Sequence, residues 1–252
     1  MAPGPWGPRR QARTHRVLKR LAARPSAEDG EGDPRTSEHL LPLRVGEEVT
    51  LRGALELRVV RGRAEVWGAV LRPSRAFLRV VAPPWVAVPR LRAQRQAPDE
   101  AAGPEEALSE EDADIREFLL LHSWPTVICL RSPREVPGTA LREQLEVPLE
   151  QPRLKVHRAW PILVDKFSTM AGALRPEEPP VLLVMGNKGV GKSSCCRYLV
   201  NALLNGASEV CYLETDIGQP ELGPPGLVSL HRVRRPVLQA AHAEQHSHEC
   251  TV

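Results

Sequence analysis

The run Gly186-Asn187-Lys188-Gly189-Val190-Gly191-Lys192-Ser193 carries the most concentrated chemistry in the sequence. Its spacing fits G-x-x-x-x-G-K-[ST], the pattern of a phosphate-binding loop. Gly186, Gly189 and Gly191 allow backbone angles that other residues resist, so successive N–H groups can curl around phosphate oxygens. Lys192 can reach the β- and γ-phosphates, and Ser193 offers a hydroxyl to Mg2+. Asn187, Lys188, Val190 and Ser194 complete the cradle by position. A second group follows in Glu214-Thr215-Asp216-Ile217-Gly218-Gln219-Pro220. A carboxylate at Asp216 can hold Mg2+ or orient an attacking hydroxyl. Glu214 is read as pointing the other way, so Asp216 is the residue chosen for that role. Gln219 suits ordering of the nucleophile or of a water on the metal. Plainer alternatives, a turn cap for Asp216 and a polar turn residue for Gln219, stay open.

Such groups work only if regular elements hold them. Val181-Leu182-Leu183-Val184-Met185 is a continuous apolar run, which predicts a strand buried on both faces of a parallel sheet. After the loop, Tyr198, Leu199, Ala202 and Leu203 fall at helical spacing, predicting a helix from Ser194 to Leu204 whose N-terminus favours negative charge. Val210-Cys211-Tyr212-Leu213 predicts a second strand, with Asp216 at its carboxyl end, where α/β sheets bind ligands. The fold class that follows is α/β: a P-loop NTPase three-layer domain, incomplete over 176–252, preceded by a small all-β module.

The remaining chain divides by composition. Residues 1–40 form an arm and linker: seven basic residues from Arg9 to Arg24 with no acidic one, then an acidic, polar stretch. Such an arm suits nucleic acid or a nuclear address. Residues 41–93 alternate, with Val49, Leu51, Leu55, Leu57 and Val59 on one parity, and predict the first part of a β module. Residues 94–117 are rich in Asp and Glu and are expected to be a disordered acidic insertion. Residues 118–175 supply the rest of the module, including a buried strand at Val127-Ile128-Cys129-Leu130, and a connecting helix.

Composition excludes several classes. The chain has 252 residues, 25 of them proline, so long regular stretches are few. No run of apolar residues is long enough for a transmembrane helix, and no secretory signal opens the chain. The five cysteines (Cys129, Cys195, Cys196, Cys211 and Cys250) are scattered, without a C-x-x-C pair, which speaks against a disulfide framework and for a reducing compartment. His242, His246, His248 and Cys250 have the look of metal ligands, but a polar tail is the expected reading. Trp6, Trp67, Trp85, Trp124 and Trp160 could stack on bases, although packing is the commoner fate.

GNKGVGKSS followed by YLETDIGQPELGPPG resembles the polynucleotide 5′-hydroxyl kinases of the nucleolar protein nine type, relatives of the RNA kinase subunit of the pre-mRNA cleavage machinery. In that family a D-x-G-Q box follows the P-loop, matched here by Asp216, Gly218 and Gln219. The segment Gly62-Arg63-Ala64-Glu65-Val66-Trp67-Gly68 resembles the β domain that precedes the kinase core. The resemblance implies transfer of the ATP γ-phosphate to the 5′-hydroxyl of RNA, with ATP and Mg2+ as cofactors and pre-rRNA as substrate. It implies a nucleolar location beside a Las-type endoribonuclease. It also implies a later substrate-binding loop and an arginine lid that this sequence does not display, so a partial chain is expected. Two other readings compete. A different P-loop enzyme is one, although a GTPase would need an N-K-x-D element that is missing from the sequence. A nucleotide-binding assembly factor without catalysis is the other.

Overall fold

The computed structural model describes residues 19–20, 38–82, 89–96, 108–133, 156–173, 179–239 and 249–251. The expectations for Trp6, Trp85, the rest of the basic arm, and His242, His246 and His248 lie outside the described residues.

Eight strands come first: β1 (Lys19–Arg20), β2 (His39–Leu43), β3 (Glu48–Thr50), β4 (Gly53–Arg61), β5 (Arg63–Val66), β6 (Ala69–Leu71), β7 (Leu78–Ala82) and β8 (Arg90–Gln94). Helix α1 (Ala113–Leu121) and strand β9 (Thr126–Arg131) follow. Then come helices α2 (Ala159–Ala173) and α3 (Lys192–Leu203), and strands β10 (Val210–Glu214), β11 (Ser229–Val233) and β12 (Glu249–Thr251).

Two antiparallel sheets, in the orders β1-β2-β9-β4-β7 and β3-β8-β5-β6, face each other. The alternating residues Val49, Leu51, Leu55, Leu57 and Val59 all point into the shared core, with Ile128 and Leu130 from β9. Alternation places the other face of β9, Val127 and Cys129, against α1, where Ile115, Phe118 and Leu119 cover it. Both faces are therefore dry, which is why 127–130 reads as an unbroken apolar run.

Helix α1 corrects the expectation that 94–117 is disordered, for its last residues. Leu108 and Ile115 are buried, and Asp112 is among the most buried residues of the chain. The Asp112 carboxylate receives both terminal nitrogens of Arg58, at 2.7 and 3.2 Å, and the N–H of Ser109 at 2.9 Å. An acidic stretch reads as solvated on average, but one paired carboxylate among many suffices to anchor it. Arg61 closes the other end of α1, donating to the carbonyls of Leu119 and His122 at 2.8 Å each. The arm also contributes: the backbone of Lys19 and Arg20 pairs with Leu40 and His39.

The second half of the chain is α/β, but its strands run antiparallel, correcting the parallel sheet expected. β10 pairs with β11 in the register Val210↔Val233 to Glu214↔Ser229, and β11 pairs with β12. Val181 to Met185 forms no strand, and Val181 is 91% exposed. A strand needs a neighbour to answer its N–H and C=O groups. Among the described residues none pairs with this run, although β10 lies at the edge of its sheet.

The two halves meet at the β5–β6 turn. Trp67 and Gly68 both take positive φ, 48° and 83°, as a tight two-residue hairpin requires. Gly68 lies against α3 so closely that a Cβ there would come within 2.9 Å of the Tyr198 carbonyl oxygen. Asn201, fully buried on α3, donates to the carbonyls of Trp67 (3.0 Å) and Val237 (3.1 Å) and accepts from the Val237 N–H (2.7 Å). Asn205, one turn on, accepts from the N–H of Val70 (2.8 Å) and donates to the carbonyl of Gly68 (2.9 Å). Beyond β11 the chain returns to the sandwich: Leu238 is part of its core, and its carbonyl accepts from the Val81 N–H at 3.1 Å.

Candidate nucleotide-binding site

The loop and its helix lie where the sequence predicts. Gly191, at φ 90°, occupies the position just before α3, and the first helical bond runs from the Cys195 N–H to the Gly191 carbonyl at 2.9 Å. A left-handed residue there favours glycine and turns the loop's amides toward one centre. Gly186 to Gly191 are exposed and open to a ligand, as is Ser193; Lys192 and Ser194 are half-buried. The Lys192 ammonium donates to the Asn187 carbonyl at 3.0 Å, which folds the lysine back over its own loop. Lys188 and Val190 are exposed on the loop's rim.

Asp216 lies on the turn after β10. Its Oδ1 accepts the N–H groups of Gly218 (3.1 Å) and Gln219 (2.9 Å). These two bonds, first that of Gln219, hold its carboxyl below the usual carboxylate range, and the Lys192 charge adds to the effect. Gln219 takes part through its backbone, while its side chain is exposed. The turn-cap alternative for Asp216 is met as well, and the carboxylate keeps a second oxygen for other work.

Glu214 is buried and Asp216 exposed, but not by strand alternation, which would put residues two apart on one face. The strand ends at Glu214 and the chain turns outward, leaving Asp216 exposed and Glu214 buried under α3. Its two oxygens accept the N–H groups of Asp216 (3.0 Å) and Glu221 (2.6 Å), so it clasps both ends of the turn. The Glu221 side chain receives Nε of Arg197 at 2.5 Å and also its NH2 group. Arg197 in turn lies over the Trp67 ring at 4.6 Å. The sequence reading set Glu214 aside and missed Arg197, Glu221, Asn201 and Asn205. A signal existed for the last two: Asn201 and Asn205 are four apart, beside the apolar stripe of Tyr198 and Leu199, where polar groups need partners.

Neighbouring groups are quieter. Burial pushes the Cys196 thiol up to about 11, so it stays protonated beside the loop and is no nucleophile. His231, 1% exposed, shares a 2.8 Å hydrogen bond with Ser229. Burial lowers its pKa, against a smaller opposing pull from Glu214. Trp67 is buried and Trp124 and Trp160 are half-buried, Trp160 against Tyr198 at 5.4 Å, so these three pack rather than present free faces. Among the described residues no group of three or more His, Cys, Asp or Glu could hold a metal ion, and no helix is long and apolar enough to cross a membrane.

The residue types fit a magnesium nucleotide: positive-φ glycines, an ammonium, a hydroxyl at a helix start and an exposed carboxylate on the turn after β10. Comparison with known proteins supports the phosphate loop. The family model of the mRNA cleavage and polyadenylation factor CLP1 P-loop matches residues 186–251. The polynucleotide 5′-hydroxyl-kinase NOL9 of Bos taurus is 54% identical over 59 residues, 23% of this chain and 8% of that protein. The polynucleotide 5′-hydroxyl-kinase grc3 of Aspergillus niger is 27% identical over 228 residues, 81% of this chain and 27% of that protein. The chain thus spans less than a third of the length of these relatives. A solved Clp1p–Pcf11p complex aligns with a TM-score of 0.48 at 15% identity, covering 84% of this chain and 43% of that one. The resemblance read from the phosphate loop and the D-x-G-Q box therefore holds: the chain is similar in sequence to the polynucleotide 5′-hydroxyl-kinases of the NOL9 and grc3 type.

Proposed function

We propose that this chain provides the nucleotide-binding part of an ATP-dependent kinase that phosphorylates the 5′-hydroxyl of RNA. The observation that carries the reading is the phosphate loop itself, with left-handed Gly191 opening α3 and the Lys192 ammonium folded over the loop, followed by the D-x-G-Q turn closed on the Asp216 carboxylate. In this reading the loop amides and Lys192 bind the phosphates, and Ser193 and Asp216 hold Mg2+. Bound Mg·ATP supplies the phosphoryl group. The chain's own share is to hold the triphosphate, to orient the incoming hydroxyl near Asp216 and Gln219, and to keep charge balanced. Similarity to NOL9 supports pre-rRNA as the substrate, a Las-type endoribonuclease as partner and the nucleolus as location, the last in keeping with the arginines of the N-terminal arm.

A second reading has its own support. Val181, Leu183 and Met185, with the outward Leu213 and Leu230 of the β10–β11 sheet, leave apolar surface exposed that a protein partner would cover. That favours a factor that binds ATP without consuming it. One experiment separates the two: incubate the chain with labelled ATP and a 5′-hydroxyl RNA, alongside Lys192→Ala. Labelled RNA ends that disappear in the variant support the kinase. Bound but unspent ATP supports the factor, and the absence of nucleotide binding sinks both.

A further inference from the structure

We infer that Arg197 and Glu221 are positioning residues: their ion pair ties the turn bearing Asp216 to the helix bearing Lys192. The inference rests on the nucleotide-binding reading above and adds to it the device that sets the spacing of the two halves of the site. Lys192 and Arg197 belong to one helix, so the place of one fixes the place of the other. Glu221 closes the Asp216 turn from its far end, where its N–H meets the same Glu214 carboxylate that holds the Asp216 N–H. The Arg197–Glu221 bond therefore joins two bodies, the helix and the clasped turn.

The geometry favours a fixed distance over a loose tether. Both side chains are largely buried, 9% and 7% exposed, and the guanidinium is held from the other side by the Trp67 ring. Residues 215–219 and 224–228 are exposed, so beyond the Glu214 clasp the turn meets the rest of the molecule through Pro220 to Gly223, the stretch that carries Glu221. A buried ion pair is seldom the cheapest way to gain stability, since apolar residues of like volume often do as well. What an apolar pair cannot supply is a directional bond at a set length.

Asp216 acts in this scheme on the metal, whereas Lys192 and the loop amides act on phosphate directly. Loss of the tie should therefore lower the gain in nucleotide affinity that Mg2+ brings and spare affinity measured in EDTA. Calorimetric titration of the whole chain with ATP, with Mg2+ or with EDTA, reads both quantities. In the double variant Arg197→Met, Glu221→Leu, which keeps volume and relieves the buried charge, we expect EDTA affinity within about twofold. We expect the Mg2+ gain to fall by about tenfold, as when a metal ligand loses its support. A double variant with unchanged melting and an undiminished Mg2+ gain overturns the inference while leaving the nucleotide reading intact. If the double variant melts early, the isosteric Glu221→Gln reads the same ratio with the same two outcomes. Absence of ATP binding by the parent chain overturns the nucleotide reading itself, and the inference with it.

Discussion

Glu214 gives both carboxylate oxygens to backbone N–H groups, while Asp216, two residues on, keeps one oxygen in solvent. Replacing Glu214 by Gln turns one acceptor into a donor aimed at an N–H, leaving a buried pair unmet. The expected loss is about 1–3 kcal/mol in denaturant unfolding. His231 makes a second residue-scale test. Its neutral ring is the buried form, so its pKa in the folded chain lies below the ordinary 6.5. Stability from this group is full above the unfolded pKa and drains as pH falls through the folded value. Melting temperature should decline as the pH drops below about 6.5, and His231→Gln should flatten that slope. At this scale the sequence is a fair guide to what touches solvent and a poor one to what supports it. Lys192, Ser193 and Asp216 are legible because their spacing encodes a ligand. Glu214 and Arg197 are not, because their partners are fixed only when the chain folds.

Among the elements, the β5–β6 hairpin is where space is shortest. Gly68→Ala must place a methyl against Tyr198 and accept a left-handed backbone, for an expected cost of about 1–3 kcal/mol or more. Gly46, at φ 81° with open space around it, is the control: its Ala variant pays the backbone penalty alone, about 1–2 kcal/mol. Equal losses in the two variants, read by thermal melting, would remove the packing argument. The strands of the sandwich are readable because alternation encodes burial on one face, and Leu55, Leu57 and Val59 obey it. Val181 to Met185 shows the limit. An apolar run states that a segment wants neighbours on both sides, but cannot state that they are at hand. The same holds for α2, whose Ile162, Leu163 and Met170 have helical spacing yet stay exposed.

Across the whole molecule, long-range pairs decide how the parts assemble. Arg58 and Asp112 are 54 residues apart and buried together. Asp112→Ala leaves the guanidinium buried without that partner, and a loss of about 3–5 kcal/mol in unfolding free energy is expected. A loss under about 1 kcal/mol would show that α1 is held by its apolar face and by Arg61 without need of this pair. No local pattern announces such a pair, since an acidic stretch looks equally wet at each carboxylate. Nor does any pattern announce the seam at Asn201, Asn205 and Leu238, where the loop-bearing half reaches into the sandwich. The consequence is one of inheritance. A shuffled gene that carried the sandwich elsewhere would leave a leucine-sized hole in its middle, and the donor helix would be left with two amides reaching for a lost hairpin. The halves can change partners only if both sides of that joint change together.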